Sequence, residues 1–134
     1  MDEIDKKIIE ILKQDSSQPY TTIAKQVALS EGAVRKRIQN LVKEGIIRKF
    51  TIQLGTAQGA KALTLVSAAP TPEVAKQIAR LENIETVYEI TGQHDIAVVL
   101  SAPTIEKINE TVDRIREISG VTNTNTMIVL KHYS

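Results

Sequence analysis

Six basic side chains and a single acidic one, Glu44, lie between Arg35 and Lys49, and their spacing sets them, with two amides, along one side of a helix. Stepping about 100° per residue, one face carries Gly32, Ala33, Lys36, Gln39, Asn40 and Lys43, with Arg35 and Arg37 at its flanks. The chemistry open to such a face is recognition of a DNA duplex. Gln and Asn can pair with adenine edges, Arg and Lys reach guanine or phosphate, and small residues at the N-terminal end let the backbone approach the groove. A solvated amphipathic helix has the same composition, so the elements around it must decide.

A second group is Thr91-Gly92-Gln93-His94-Asp95. Gly can expose backbone N–H groups to a carboxylate, and Asp95 can accept from an ammonium, the two ends of an α-amino acid. Thr124 and Thr126, alternating on one face of the last predicted strand, add hydroxyls across a subunit boundary, and Tyr88 adds a wall. The plainer reading is a hairpin turn in which Gly92 serves geometry and Asp95 bonds its own backbone. His94 is the one central acid or base, and a lone His beside Asp is more often a structural pair than a catalytic one. No catalytic residue is assigned.

The elements that position the basic face read as a helix-turn-helix. Ile23, Ala24 and Val27 give the apolar side of a short helix, with Pro19 in its first turn, where a missing N–H costs nothing. Ala28-Leu29 turns the chain, Ser30 caps the second helix, and Glu31 sits at the positive end of its dipole. That helix is expected to bury Val34, Ile38, Leu41 and Val42. The surroundings favour the duplex reading and extend the DNA-side candidates to Tyr20, Thr21 and Ser30. An earlier helix, about Asp2 to Lys13, packs beneath through Ile4, Ile8, Ile11 and Leu12. GIIRKFTIQL, next in the chain, alternates well enough for a strand or short wing, which places Arg48 and Lys49 near the DNA backbone. Charges that protect an exposed edge strand are the alternative for these two.

Charge and composition agree with this division. Residues 1–54 carry ten Lys/Arg against seven Asp/Glu, and the remainder seven against nine, so the positive charge is concentrated where a phosphate footprint needs it. With no Trp and only Phe50, Tyr20, Tyr88 and Tyr133 as aromatics, stacking on single-stranded nucleic acid is disfavoured. The absence of cysteine excludes disulfides and thiolate metal sites, and two histidines make a poor zinc set. No metal or cofactor is expected. MDEIDKK is no signal peptide and no apolar run approaches 18 residues, so a cytoplasmic protein without membrane contact is expected.

GTAQGAK, residues 55–61, has two glycines and no large apolar residue and marks the boundary between a DNA-binding domain, 1–54, and a second domain, 62–134. The second domain repeats itself: SAAPTPEVAKQIARLENIETV resembles LSAPTIEKINETVDRIREISGV, each a strand, a Pro-Thr helix start and another strand. Two such units give β-α-β-β-α-β, the ferredoxin-like arrangement, an antiparallel sheet with both helices on one face. HDIAVVLSA is apolar at nearly every position, so both faces of that strand expect cover, although the helices supply only one. A second copy of the sheet is the economical cover, which predicts a homodimer. The fold class is α+β, an N-terminal winged helix-turn-helix followed by a ferredoxin-like domain.

In this order and at this length, the chain resembles the Lrp/AsnC, or feast/famine, family of prokaryotic transcription regulators. IDKKIIEILKQD, IAKQVALSEGAVRKRIQNLVKEGIIRKFT and TGQHDIAVVL carry the resemblance. It implies dimers that assemble further, to an octamer of four dimers, on palindromic DNA near promoters, with an amino acid bound between subunits. Two departures stand out. Ala28 occupies the turn where many members have Gly, and the loop reads Gly92-Gln93-His94-Asp95 where an aromatic residue is common before the Asp. Gln93 and His94 point to a polar effector such as glutamine, lysine or arginine. Two other function classes share these features: a nucleoid-like architectural DNA-binding protein, and an enzyme of the tetrapyrrole decarboxylase type.

Overall fold

Asp2 starts the first helix by a reciprocal cap: its side chain accepts from the Asp5 N–H at 2.8 Å, and the Asp5 side chain accepts from the Asp2 N–H at 3.1 Å. Helix α1 then runs Glu3–Gln14. The computed structural model describes residues 1–55 and 59–133, and the chain divides into two compact units after Gln53. In the first unit, α2 spans Tyr20–Val27 and α3 spans Glu31–Lys43. Pro19 is the N-cap of α2 and stands just outside the first turn where it was expected. The turn between them bends at Ala28, which sits in the left-handed region at φ 56° and ψ 44°. Ser30 caps α3, its Oγ accepting from the Ala33 N–H at 3.1 Å. Ile8, Leu12, Ile23, Ala24, Val27, Val34 and Ile38 make one core.

Two expectations for this unit need correction. Val42 is 43% exposed, because it lies about 80° round the helix from Val34, whereas Leu41 lies on the buried stripe and is only 2% exposed. The strand or wing expected from GIIRKFTIQL is absent: Ile46 and Ile47 both donate to the Leu41 carbonyl, at 2.9 and 3.0 Å, and residues 48–55 carry no regular structure. An extended segment needs a neighbour for its N–H and C=O groups, and this unit is otherwise helical. Phe50 and Ile52 are left 52% and 75% exposed.

The second unit runs β1 (Ala60–Ala68), α4 (Thr71–Ala79), β2 (Ile84–Glu89), β3 (Ile96–Ala102), α5 (Ile105–Glu117) and β4 (Val121–Ile128). Its strand order is β2-β3-β1-β4, every neighbouring pair antiparallel, as the ferredoxin-like reading requires. Of the expected linker, residues 56–58 lie outside the described residues, and β1 already begins at Ala60. Helices α4 and α5 cover one sheet face. Ala62, Val66, Ile96, Val98 and Leu100 pack there against Val74, Ile78, Ile108, Val112 and Ile115. Thr64, fully buried in the same layer, bonds Thr126 hydroxyl to hydroxyl at 2.9 Å.

The register identifies the other face. Leu65 stands opposite both Ala97 and Asn125, Leu63 opposite Val99 and Met127, and Ala97 opposite Tyr88, and directly paired residues share a face. No element of this unit among the described residues covers this apolar strip: Leu63, Met127 and Tyr88 are 42%, 41% and 57% exposed.

Candidate nucleic-acid interface and effector loop

The exposed side of α3 carries Gly32, Lys36, Gln39, Asn40 and Lys43, with Ala33 half-buried beside them. A Cβ at Gly32 would meet nothing within 4 Å, so no contact inside the protein requires glycine there. Arg35 pairs with Glu31 at 2.7 Å and lies 5.0 Å over the Tyr20 ring. Tyr20 therefore ties the start of α2 to α3, while Thr21 beside it is exposed. Ser30 spends its oxygen on the cap. Arg48 and Lys49 are exposed in the irregular segment after α3.

Arg37 stands at the flank of the reading face, and its guanidinium is engaged within the unit. Its Nη1 donates to Asp2 at 2.7 Å and to Asp5 at 3.0 Å, and its side chain is 29% exposed. The guanidinium beside Asp2, followed by the Asp5 N–H, lowers the Asp2 carboxyl to about 2. The capping carboxylates of α1 therefore serve a second role: they hold α3 against α1. A helical wheel places Arg37 correctly on the rim, but a partner more than thirty residues earlier leaves no trace in local spacing.

Between β2 and β3, residues 90–95 form the loop expected to hold an effector. Thr91, Gly92 and Gln93 are exposed, and Gly92 has φ 113°, a conformation that favours glycine. His94 and Asp95 turn back toward β1. His94 Nδ1 is 3.3 Å from Ser67 Oγ, and Asp95 Oδ2 accepts from the Ala68 N–H at 2.9 Å. The other carboxylate oxygen has no hydrogen bond to the described residues. Ser67 is the residue that sequence reasoning missed, and alternation along β1 was the available signal, since it shares the face of Leu65.

The remaining effector candidates separate. Tyr88 lies on the uncovered sheet face. Thr124 and Thr126 do share a face, but it is the helix-covered one, because they stand opposite Val66 and Thr64. Thr124 Oγ1 accepts from Arg116 Nε at 3.0 Å, and Thr126 is bonded to Thr64. Asn123 and Asn125 are the polar residues that β4 offers to the uncovered face. No helix among the described residues is long and apolar enough to cross a membrane.

The family matches fall one within each of the two units. Residues 1–42 match the AsnC-type helix-turn-helix domain, and residues 62–134 match the Lrp/AsnC ligand binding domain. The chain is 46% identical over 134 residues to the HTH-type transcriptional regulator LysM of Saccharolobus solfataricus, covering 98% of this chain and 94% of that one. It is 41% identical over 136 residues to the HTH-type transcriptional regulator FL11 of Pyrococcus horikoshii, covering 98% and 90%. Among solved structures it resembles AsnC of E. coli, with TM-score 0.75, 21% identity and coverage of 98% and 93%. It also resembles a transcriptional regulator from Neisseria meningitidis in complex with L-Met, with TM-score 0.82, 22% identity and coverage of 100% and 92%. With a DNA-binding helix-turn-helix in one unit and a ligand-binding ferredoxin-like fold in the other, this chain is a transcriptional regulator, not an enzyme, and it belongs to the Lrp/AsnC family.

Proposed function

We propose that the protein binds specific sites on cytoplasmic duplex DNA as a homodimer, and that an amino acid held at the Gly92–Asp95 loop changes its assembly or DNA affinity. The observation that carries the DNA part is the exposed α3 face, where Lys36, Gln39, Asn40 and Lys43 stand free of the core. Lys36 and Lys43 supply phosphate affinity, and Gln39 and Asn40 supply discrimination among bases. The uncovered strip of Leu63, Leu65, Val99 and Met127 supports the homodimer, since an identical strip is its natural cover. Two reading helices then address half-sites one helical turn, roughly 34 Å, apart or a multiple of it. Assembly to an octamer of four dimers is the further expectation from the family.

Support for the effector comes from the loop: Gly92 and Gln93 present exposed backbone, and Asp95 keeps one oxygen for an ammonium. The relative solved with L-Met shows that an amino acid can accompany this fold in that protein. Gln93 and His94 favour a ligand with a polar end, such as glutamine, lysine or arginine. The ligand controls DNA binding only to the extent that it binds one arrangement better than another.

Selection of binding sites from random duplexes, at fixed salt, tests the first part. A recovered palindrome bound far more tightly than random DNA supports a regulator, and a ratio near one supports an architectural protein. Calorimetry against the twenty amino acids, repeated with DNA, tests the second, and failure of all twenty at millimolar concentration would remove the effector.

A further inference from the structure

We propose that Asp95 is the positioning residue of the effector loop, fastening it to the main chain on both sides of Ser67 and so setting His94 against that serine. The proposal rests on reading this loop as a ligand site and gives Asp95 a task that precedes any ligand. Its own N–H donates to the Val66 carbonyl at 2.9 Å, and its Oδ2 accepts from the Ala68 N–H at 2.9 Å. Val66 and Ala68 flank Ser67, and His94, one residue before Asp95, is thereby brought to Ser67 at 3.3 Å.

The end of β1 explains why a side chain is needed there. The ladder with β3 stops at Val66↔Ile96, and the ladder with β4 slips between Ser67 and Ala68, leaving the Ala68 N–H without a strand partner. The N–H of buried Ala68 must find an acceptor, and Asp95 supplies it. The loop is closed on its other side by the Ile90 N–H, which donates to the Asp95 carbonyl at 2.9 Å. The same stretch receives two further elements: Thr71 Oγ1 donates to the Ala68 carbonyl at 3.1 Å, and Thr122 Oγ1 to the Ser67 carbonyl at 3.2 Å. Asp95 thus joins the loop to the strand end on which the start of α4 and the start of β4 also rest. The task needs an accepting oxygen and not a negative charge.

That distinction sets the experiment, made on the full chain without ligand. Asp95→Asn keeps an oxygen for Ala68, and Asp95→Ala keeps none. Amide hydrogen exchange at Ala68 and the imidazole nitrogen signals of His94 are read in both, with Ser67→Ala as the reference for a His94 without its partner. Asp95→Ala should speed exchange at Ala68 about tenfold or more and move His94 toward the Ser67→Ala signal, while Asp95→Asn stays near the parent on both readouts. Protection of Ala68 that survives Asp95→Ala overturns the proposal, as does an Asp95→Asn protein that behaves like Asp95→Ala. Should Asp95→Ala fail to fold, the Asn variant decides: exchange within about threefold of the parent supports the role, and an increase beyond about tenfold refutes it. An amino-acid screen of the parent that finds no ligand, with this exchange pattern intact, removes the effector reading and leaves the positioning role standing.

Discussion

Replacing Thr126 by Val should destabilise the protein more than replacing Thr64, although the two hydroxyls share one bond. Thr64 is fully buried on the central strand β1, and its hydroxyl lies 2.9 Å from that of Thr126, which is only half-buried on the edge strand β4. In Thr126→Val the Thr64 hydroxyl stays buried and loses its partner, a situation that costs about 1 to 3 kcal/mol. In Thr64→Val the group left over is Thr126, which water can reach, so the cost should stay below about 1 kcal/mol. The double variant removes both polar groups and keeps the shape, and should return to within about 0.5 kcal/mol of the parent. Urea unfolding followed by circular dichroism measures all four proteins, at one protomer concentration because the proposed homodimer would add to stability. Equal costs for the two single variants, or a double variant equal to their sum, would refute the reasoning.

Other outcomes follow from the first unit. Lys36→Ala should flatten the salt dependence of DNA binding by about one unit, whereas Arg37→Met, which removes a guanidinium already committed to Asp2 and Asp5, should lower thermal stability and leave that slope unchanged in a salt titration on random duplex. Ala28→Gly relieves about 1 to 2 kcal/mol of left-handed strain against about 0.5 to 1 kcal/mol of added backbone entropy in the unfolded chain. A net gain of about 0.5 to 1 kcal/mol should appear in thermal melts, and Ala28→Val should melt lower than the parent. The Asp2 carboxyl, held at about 2 against an ordinary 3.8, contributes stability that is fully present above pH 3.8 and is lost as the pH falls toward 2. Asp2→Asn should therefore be less stable at neutral pH and should lose less on acidification across that window, as followed by circular dichroism.

Helix positions and caps were legible in the sequence because they depend on neighbours three and four residues away. Ser30 and the Ile8, Ile23, Val34 and Ile38 stripes all fall in this class. The sheet was legible through its repeat and through the continuous apolarity of HDIAVVLSA. Apart from Val42, whose offset from the buried stripe is local, what escaped depends on pairing at a distance. Alternation shows that Thr124 and Thr126 share a face but not which face, since that is settled by their partners Val66 and Thr64. GIIRKFTIQL has a strand's pattern, and no neighbouring strand in its unit to complete it. Arg37 reads as a flank residue of the basic face, and its pairing with Asp2 and Asp5 emerges only from the packing of α1 on α3. Within the loop, the residue types were readable, but the engagement of Asp95 with Ala68 depends on a bulge that leaves no mark in composition.

The uncovered sheet strip and the exposed Phe50 and Ile52 also bear on how long each copy survives in the cell. A freshly synthesised chain that has not met another offers an apolar surface to quality control and unpaired backbone to proteases, and pairing in the proposed homodimer would hide the strip. Turnover should then fall as concentration rises, so a substitution at Leu63 or Met127 that weakens the proposed pairing is expected to reduce the abundance of the regulator before it alters any contact with DNA.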